Sequence, residues 1–233
     1  MYQGQRILAV VPARSGSKGI PHKNLRDFAG VPLVRRAAEV AAATTMIDRA
    51  IVSTDCNEIA RVAGLEAPFL RPPALSDDRA AAIDVLAHAL DQMEELDQLT
   101  YDVVILLEPT APLRRTEHVE RCIEKLVVER LDAVWTVSPI DPSNHPLKSL
   151  HVAADGKIRP FAESGFAIVA RQQLPPLFKR NGVAYAFSRD CVKHQRSIWG
   201  KEARAIILDD QDYISIDTEK DLLLSEALFR GAT

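Results

Sequence analysis

The chain has 233 residues, 47% hydrophobic and 26% charged, with a formal net charge of -3. This is the balance of a soluble globular protein with room for one large core, and it gives no bulk attraction to nucleic acid. No apolar run reaches membrane-spanning length, so neither nucleic acid nor membrane is an expected partner, and any anion site must come from local placement of Lys and Arg.

In chain order, Arg6–Val11 (RILAVV) is a short Val/Ile-rich run expected to form a buried strand, closed by Pro12. Before it, the N-terminus lacks the basic and apolar regions of a signal peptide. Ala13–Asn24, rich in Gly, Ser and Lys, reads as a loop. Pro32 suits the first turn of a helix running to Ala43. Arg49–Ser53 is a second strand, a helix follows near Glu58–Ala63, and another is expected from Asp78 or Arg79 to about Glu95. Asp102–Leu107 (DVVILL) is the clearest central strand, Glu117–Glu129 has helical apolar spacing, and Asp132–Val137 is the next strand. This alternation predicts an α/β fold with a largely parallel sheet and helices on both faces. The pattern changes over 139–181, where many prolines and an Asp155–Gly156 turn suggest a hairpin-like arm outside the sheet. Val183–Phe187 and Ala203–Leu208 resume strand character, and Thr218 is a plausible cap for a last helix, Glu219–Phe229. The chain thus reads as one domain, 1–233, with 139–181 as an excursion within it.

The three cysteines, Cys56, Cys122 and Cys191, are scattered, and neither they nor the six histidines show metal-ligand spacing. Free thiols fit a reducing compartment, and a cytoplasmic location is expected.

The first loop, Pro12-Ala-Arg-Ser-Gly-Ser-Lys-Gly-Ile-Pro-His-Lys-Asn24, crowds Arg14, Lys18 and Lys23 around Gly16 and Gly19. Glycines let backbone approach a ligand closely, and such a loop after the first strand of an α/β sheet suits phosphate binding. It is neither a Walker A loop nor GxGxxG. By composition alone, a solvated basic surface loop explains it equally well.

The whole loop resembles the signature of the acylneuraminate cytidylyltransferase (CMP-sialic acid synthetase) family, and further matches follow in order. They are Ile51–Asp55, Phe69–Pro72, Leu106-Leu-Glu-Pro-Thr-Ala-Pro-Leu-Arg114, His145–Lys148, Arg171–Pro175, Asn181–Tyr185 and Ile216–Glu219. The resemblance implies a Rossmann-like fold of the nucleotide-diphospho-sugar transferase type with a protruding dimerisation arm. It also implies transfer of CMP from CTP to the anomeric hydroxyl of sialic acid or a related nonulosonic acid, with release of pyrophosphate. By the same resemblance Arg14, Ser15, Gly16, Lys23, Asn24 and Arg71 would bind the nucleotide, and Lys23, Arg14 and Asp217 would serve catalysis. Glu108, Lys148, Arg171, Asn181 and Tyr185 would bind the sugar acid, with Lys148 and Arg171 reaching a partner subunit's site in a homodimer. Mg²⁺ is the implied cofactor, with Asp217 as ligand. The competing reading makes Asp217 a helix cap, Lys148 an exposed lysine and Tyr185 a half-buried strand aromatic.

Three positions depart from the family pattern. Ser215 stands where a first aspartate is usual, Glu108 where glutamine is usual, and Ala82 where a serine is usual. Two explanations of Glu108 stand open: a second carboxylate ligand beside Asp217, or a partner for an amino group on the sugar. The departures also leave open another acceptor (a different ulosonic acid, an amino-substituted sugar acid or a phosphonate) and a non-catalytic nucleotide-binding relative.

Overall fold

Residues 1–209 and 213–231 are described by a computed structural model. The apolar runs become the central strands β1 (Ile7–Pro12), β4 (Arg49–Ser53), β5 (Val103–Leu106) and β6 (Ala133–Pro139). Between β1 and β4, two-residue strands β2 (Asp27–Phe28) and β3 (Val31–Pro32) form a small hairpin. With β9 (Phe178–Ser188) and β10 (Ala203–Ile207) the main strands make a six-stranded sheet in the order β10-β6-β9-β5-β1-β4. The pairs β1/β4, β1/β5 and β6/β10 are parallel, whereas β9 is antiparallel to both its neighbours.

Burial on both faces explains why these strands read as continuous apolar runs. Ile7, Ala9 and Val11 face a layer built by α1 (Leu33–Ala43), α2 (Asn57–Ala63) and α4 (Thr116–Val128). Leu8 and Val10 face α3 (Ala82–Asp97) and α5 (Arg189–Lys193). Each fully buried Val, Ile or Leu contributes roughly 1.5–3 kcal/mol by leaving water, so β1 is held from both sides. The last helix, α6 (Glu219–Gly231), packs with Ile20, Phe28, Leu33 and Ile216 in a smaller cluster. Thr218 and Asp221 cap it reciprocally: Thr218 Oγ1 accepts from Asp221 N at 3.2 Å, and Asp221 Oδ2 accepts from Thr218 N at 2.8 Å.

Two boundaries differ from the sequence expectation. Helix α3 begins at Ala82 because the Asp77 carboxylate accepts from the backbone N–H groups of Arg79 and Ala80, making a turn there. Strand β9 begins at Phe178 rather than Val183, with Pro139 paired to Phe178 and Val137 to Arg180. Its first three residues, Phe178, Lys179 and Arg180, are exposed and two of them are charged, so they do not extend the apolar run, and the ladder shifts register between Trp135 and Val137.

Between β6 and β9 the chain leaves the sheet. This excursion holds a hairpin, β7 (Leu150–Val152) with β8 (Ile158–Pro160), and short 3₁₀ turns. Gly156, at φ 82, makes the hairpin turn where the sequence placed it. Val152, Ile158, Phe161, Phe166 and Val169 on the excursion are exposed.

Because β9 runs antiparallel, its first residues lie at the sheet edge where β1, β4, β5 and β6 end. That edge gathers the loops after β1, β4 and β5 with the start of β9, the usual place for a ligand in an open α/β sheet.

Candidate active site

At this edge lies a cavity of about 340 Å³ lined by Arg14, Lys23, Asn24, Arg71, Glu108 and Asp217, together with Asp77, Asp78, Ala82 and Leu106. It brings together residues from four separate stretches of sequence.

The first loop is held from below. Asp55, just beyond β4, accepts from Ser15 N and Ser15 Oγ, both at 2.8 Å. Buried Asn24 donates from Nδ2 to the Arg14 carbonyl at 2.9 Å, tying the ends of the loop together. Ser15 and Gly16 flank the cavity but do not line it, whereas Arg14, Lys23 and Asn24 do. The guanidinium of Arg14 donates to Asp78 at 2.6 Å, and Lys18 reaches the other Asp78 oxygen at 2.6 Å. Hydrogen bonds from Lys18 and Arg14 hold the Asp78 carboxyl below its ordinary range. Arg71 is buried, with Nε donating to Ser76 Oγ at 3.2 Å, and burial lowers its basicity against the pull of the Asp55 charge.

Lys23, whose side chain is only 17% exposed, donates to Asp217 Oδ1 at 2.9 Å. Ser215 Oγ donates to the other Asp217 oxygen at 3.1 Å. The Asp217 segment is pinned to the loop after β5 by Ile216 N donating to the Thr110 carbonyl at 2.9 Å. It also crosses the first loop so closely at Gly19 that a Cβ there would lie 2.2 Å from the Asp217 carbonyl oxygen. Only glycine fits that crossing.

Glu108 follows β5 and is fixed by Arg114, a residue the sequence reading left without a role. Its guanidinium is fully buried and donates to the carbonyls of Glu108 at 2.5 Å and Gly182 at 2.8 Å, and also to that of Val183. Burial pushes Arg114 down to about 10, against the Glu108 charge. Burial likewise raises the pKa of the Glu108 carboxyl, opposed by the charges of Arg114 and Arg180 and reinforced by Asp217. Gly182, at φ 73, leaves room for that carboxylate: a Cβ there would come within 2.7 Å of Glu108 Oε2. No described residue donates a hydrogen bond to the Glu108 carboxylate, which faces the cavity.

Of the expected sugar residues, Glu108 lines the cavity, and the other four fall into two groups away from its lining. Asn181 and Tyr185 are buried and engaged within the fold. Asn181 Oδ1 accepts from Thr136 Oγ1 at 2.6 Å, and its Nδ2 donates to Ser138 Oγ at 3.0 Å. The Tyr185 hydroxyl accepts from Gly182 N at 2.6 Å, and burial, then the Glu108 charge, raises its pKa. Lys148 and Arg171 lie exposed on the excursion, outside this chain's own cavity. Sequence reasoning missed Asp55, Asp78 and Arg114 as organisers of the site; Asp55 and Arg114 both end motifs it had singled out.

Asp217 and Glu108 supply hard carboxylate oxygens to one cavity. Among the described residues no group of three or more His, Cys, Asp or Glu forms a metal cage. Two carboxylates are the hard oxygen donors that suit Mg²⁺, and Asp217 and Glu108 are the residues that would hold it.

With these cations, carboxylates and the parallel-sheet edge in place, the class of protein is defined: the chain belongs to the cytidylyltransferase family, whose profile matches residues 8–223. It is 32% identical to the CMP-N,N'-diacetyllegionaminic acid synthase of Legionella pneumophila over 96% of this chain and 96% of that protein. It is 28% identical to the pseudaminic acid cytidylyltransferase of Campylobacter jejuni, again with 96% of each chain covered. Among solved structures, CMP:2-keto-3-deoxy-manno-octonic acid synthetase complexed with CTP superposes with a TM-score of 0.73 at 19% identity, covering 98% of this chain and 100% of that one. The resemblance read from the motifs and the fold read from the strand–helix alternation are both borne out.

Proposed function

We propose that this chain transfers the CMP part of CTP to the anomeric hydroxyl of a nonulosonic acid, releasing pyrophosphate. The observation that carries the reading is the placing of Arg14, Lys23 and Arg71 around one cavity with Asp217 and Glu108. The cytidylyltransferase profile and the CMP-sugar synthase relatives supply the nucleotide and the acceptor class.

In the reaction the sugar hydroxyl oxygen, giving up its proton to solvent, bonds to the α-phosphorus of CTP, the bond from that phosphorus to the β-phosphate bridging oxygen breaks, and pyrophosphate leaves with the electron pair. There is little covalent work for the protein, so alignment and charge neutralisation dominate. Arg14 and Lys23 grip the triphosphate, exchanging Asp78 and Asp217 for phosphate oxygens. Lys23, released from Asp217, neutralises charge gathering on the leaving pyrophosphate. Arg71, rigid and buried, faces the nucleotide from the β4 side. Asp217 and Glu108 would hold Mg²⁺, which when bound supplies charge neutralisation across the phosphates. A second reading of Glu108 rests on its unpartnered carboxylate: it pairs with an amino substituent on the acceptor.

The excursion between β6 and β9 is read as a dimerisation arm. Its exposed Val152, Ile158, Phe161, Phe166 and Val169 are the apolar surface a second copy would cover, carrying Lys148 and Arg171 toward the partner's cavity. A monomer in sedimentation at micromolar concentration would refute that part. The reaction is assigned to the cytoplasm, in keeping with three unpaired cysteines; no helix among the described residues is long and apolar enough to cross a membrane.

The test is pyrophosphate release from CTP with a panel of nonulosonic, octulosonic and amino-substituted sugar acids, with and without Mg²⁺. CTP- and Mg²⁺-dependent release with a nonulosonic acid is expected. Tight CTP binding with no turnover on any acceptor would replace this reading with a non-catalytic nucleotide-binding role.

A further inference from the structure

Arg180 lies on the polar opening of β9, beside Asn181 and Gly182, at the sheet edge where Glu108 faces the cavity. In the strand order β10-β6-β9-β5-β1-β4, the phosphate cations belong to the β1 and β4 side of β5. Arg180 belongs to the other side, with β6. Its guanidinium carbon sits 5.3 Å from the ring centroid of Trp135 and 5.8 Å from that of Trp199. The two indoles stack with centroids 4.8 Å apart and planes 18° from parallel. Trp135 is itself fixed by its Nε1 donating to the Ile198 carbonyl at 3.0 Å and by packing on Tyr185 and Phe187.

No described residue uses the donors of Arg180. It is exposed and makes no hydrogen bond or ion pair with a described residue, yet its position is set by the two rings. Its charge is felt by the Glu108 carboxyl. An acidic acceptor approaching Glu108 needs a cation to offset carboxylate repulsion, and a planar guanidinium held in one orientation suits a carboxylate. Trp199, 57% exposed, adds an open apolar ring face next to it.

We propose that Arg180, clamped on the Trp135–Trp199 pair, is the specificity-determining residue through which this chain itself binds the carboxylate of the acceptor sugar. The inference rests on the function proposed above and names a carboxylate contact within the chain, separate from Lys148 and Arg171 on the excursion. Arg180 touches the acceptor and not the reacting phosphorus, so it acts on acceptor affinity. Trp199 acts through Arg180 as a positioning residue.

The experiment compares wild type, Arg180→Ala, Arg180→Lys and Trp199→Ala by pyrophosphate release, using an acidic acceptor and its carboxamide analogue, with thermal melting of each variant. For Arg180→Ala the acceptor KM is expected to rise about tenfold or more, as for loss of a charged hydrogen bond, while the KM for CTP stays within about twofold. The preference for acid over carboxamide should collapse in Arg180→Ala, recover in part in Arg180→Lys, and weaken in Trp199→Ala. An active wild type with an unchanged acceptor KM in Arg180→Ala overturns the proposal. An equal loss on acid and carboxamide also overturns it, because a purely structural role gives that result. A wild type inert toward every acidic sugar removes the proposed function, and this inference with it.

Discussion

Replacing Gly19 with alanine tests the contact on which the arrangement of the site depends. The new Cβ would lie 2.2 Å from the backbone oxygen of Asp217, where ordinary contact begins near 3.4 Å. Backbone cannot rotate away as a side chain can, so on the order of 1 Å of separation must open between the first loop and the Asp217 segment. A 1 Å misplacement of catalytic groups lowers the rate roughly 100-fold, which corresponds to about 2.7 kcal/mol of barrier. Overpacking of this kind destabilises folds by about 1–3 kcal/mol, and a chain of this size loses roughly 2–4 °C of Tm per kcal/mol. The expected variant therefore melts about 2–12 °C lower, with kcat/KM for CTP down about two orders of magnitude. Pyrophosphate-release kinetics at saturating acceptor and a calorimetric melt measure both. A Gly19→Ala enzyme with wild-type kcat/KM and wild-type Tm would show that the loop and Asp217 do not meet as described.

Two further predictions concern charge. Lys23→Met removes the ammonium beside Asp217 and is expected to lower kcat roughly 100-fold or more, about 3 kcal/mol as for loss of one transition-state donor; steady-state kinetics showing an unchanged kcat would contradict its assigned role. Glu108→Gln is expected to raise the Tm at neutral pH. Burial, foremost, lifts the Glu108 carboxyl above its unfolded value, so the folded state holds this proton more tightly than the unfolded chain. The resulting stability is complete below the unfolded carboxyl pKa of about 4.3 and is lost as pH rises through the folded value. Glutamine has no such proton to lose. Melts in chelator without nucleotide should show the Glu108→Gln advantage at pH 7.5 fading as the pH falls toward 4, and a gap that is absent or grows on acidification would refute the sign.

Much of the edge was legible because its parts are local. The run Ile7–Val11 had to be a strand buried on both faces, and Arg14, Lys23 and Asn24 sit close together in sequence on the loop it feeds. The start of α3 was misplaced because a local hydrogen bond, Asp77 to Arg79 and Ala80, outcompeted helix at those residues. Arg114 was invisible as a functional residue: from sequence it is an arginine before a helix, and its partners Gly182 and Val183 lie nearly 70 positions away. Arg180 gave no signal either, since a cation at a strand start reads as solvated surface until Trp135 and Trp199 are placed beneath it.

The strand–helix alternation, the glycine-bearing basic loop and, through ordered motifs, the chemistry expected of them are all readable along the chain, because apolar periodicity and short-range spacing are properties of neighbouring residues. The antiparallel insertion of β9 between β5 and β6, in contrast, emerges from packing of the folded chain. That reversal brings the start of β9 to the loop edge and makes Asn181 and Tyr185 internal struts. It also lays Glu108 against Gly182. Which side chains face a cavity depends on strand order and direction, set by burying two faces of one sheet at once, and no stretch of chain carries that information alone.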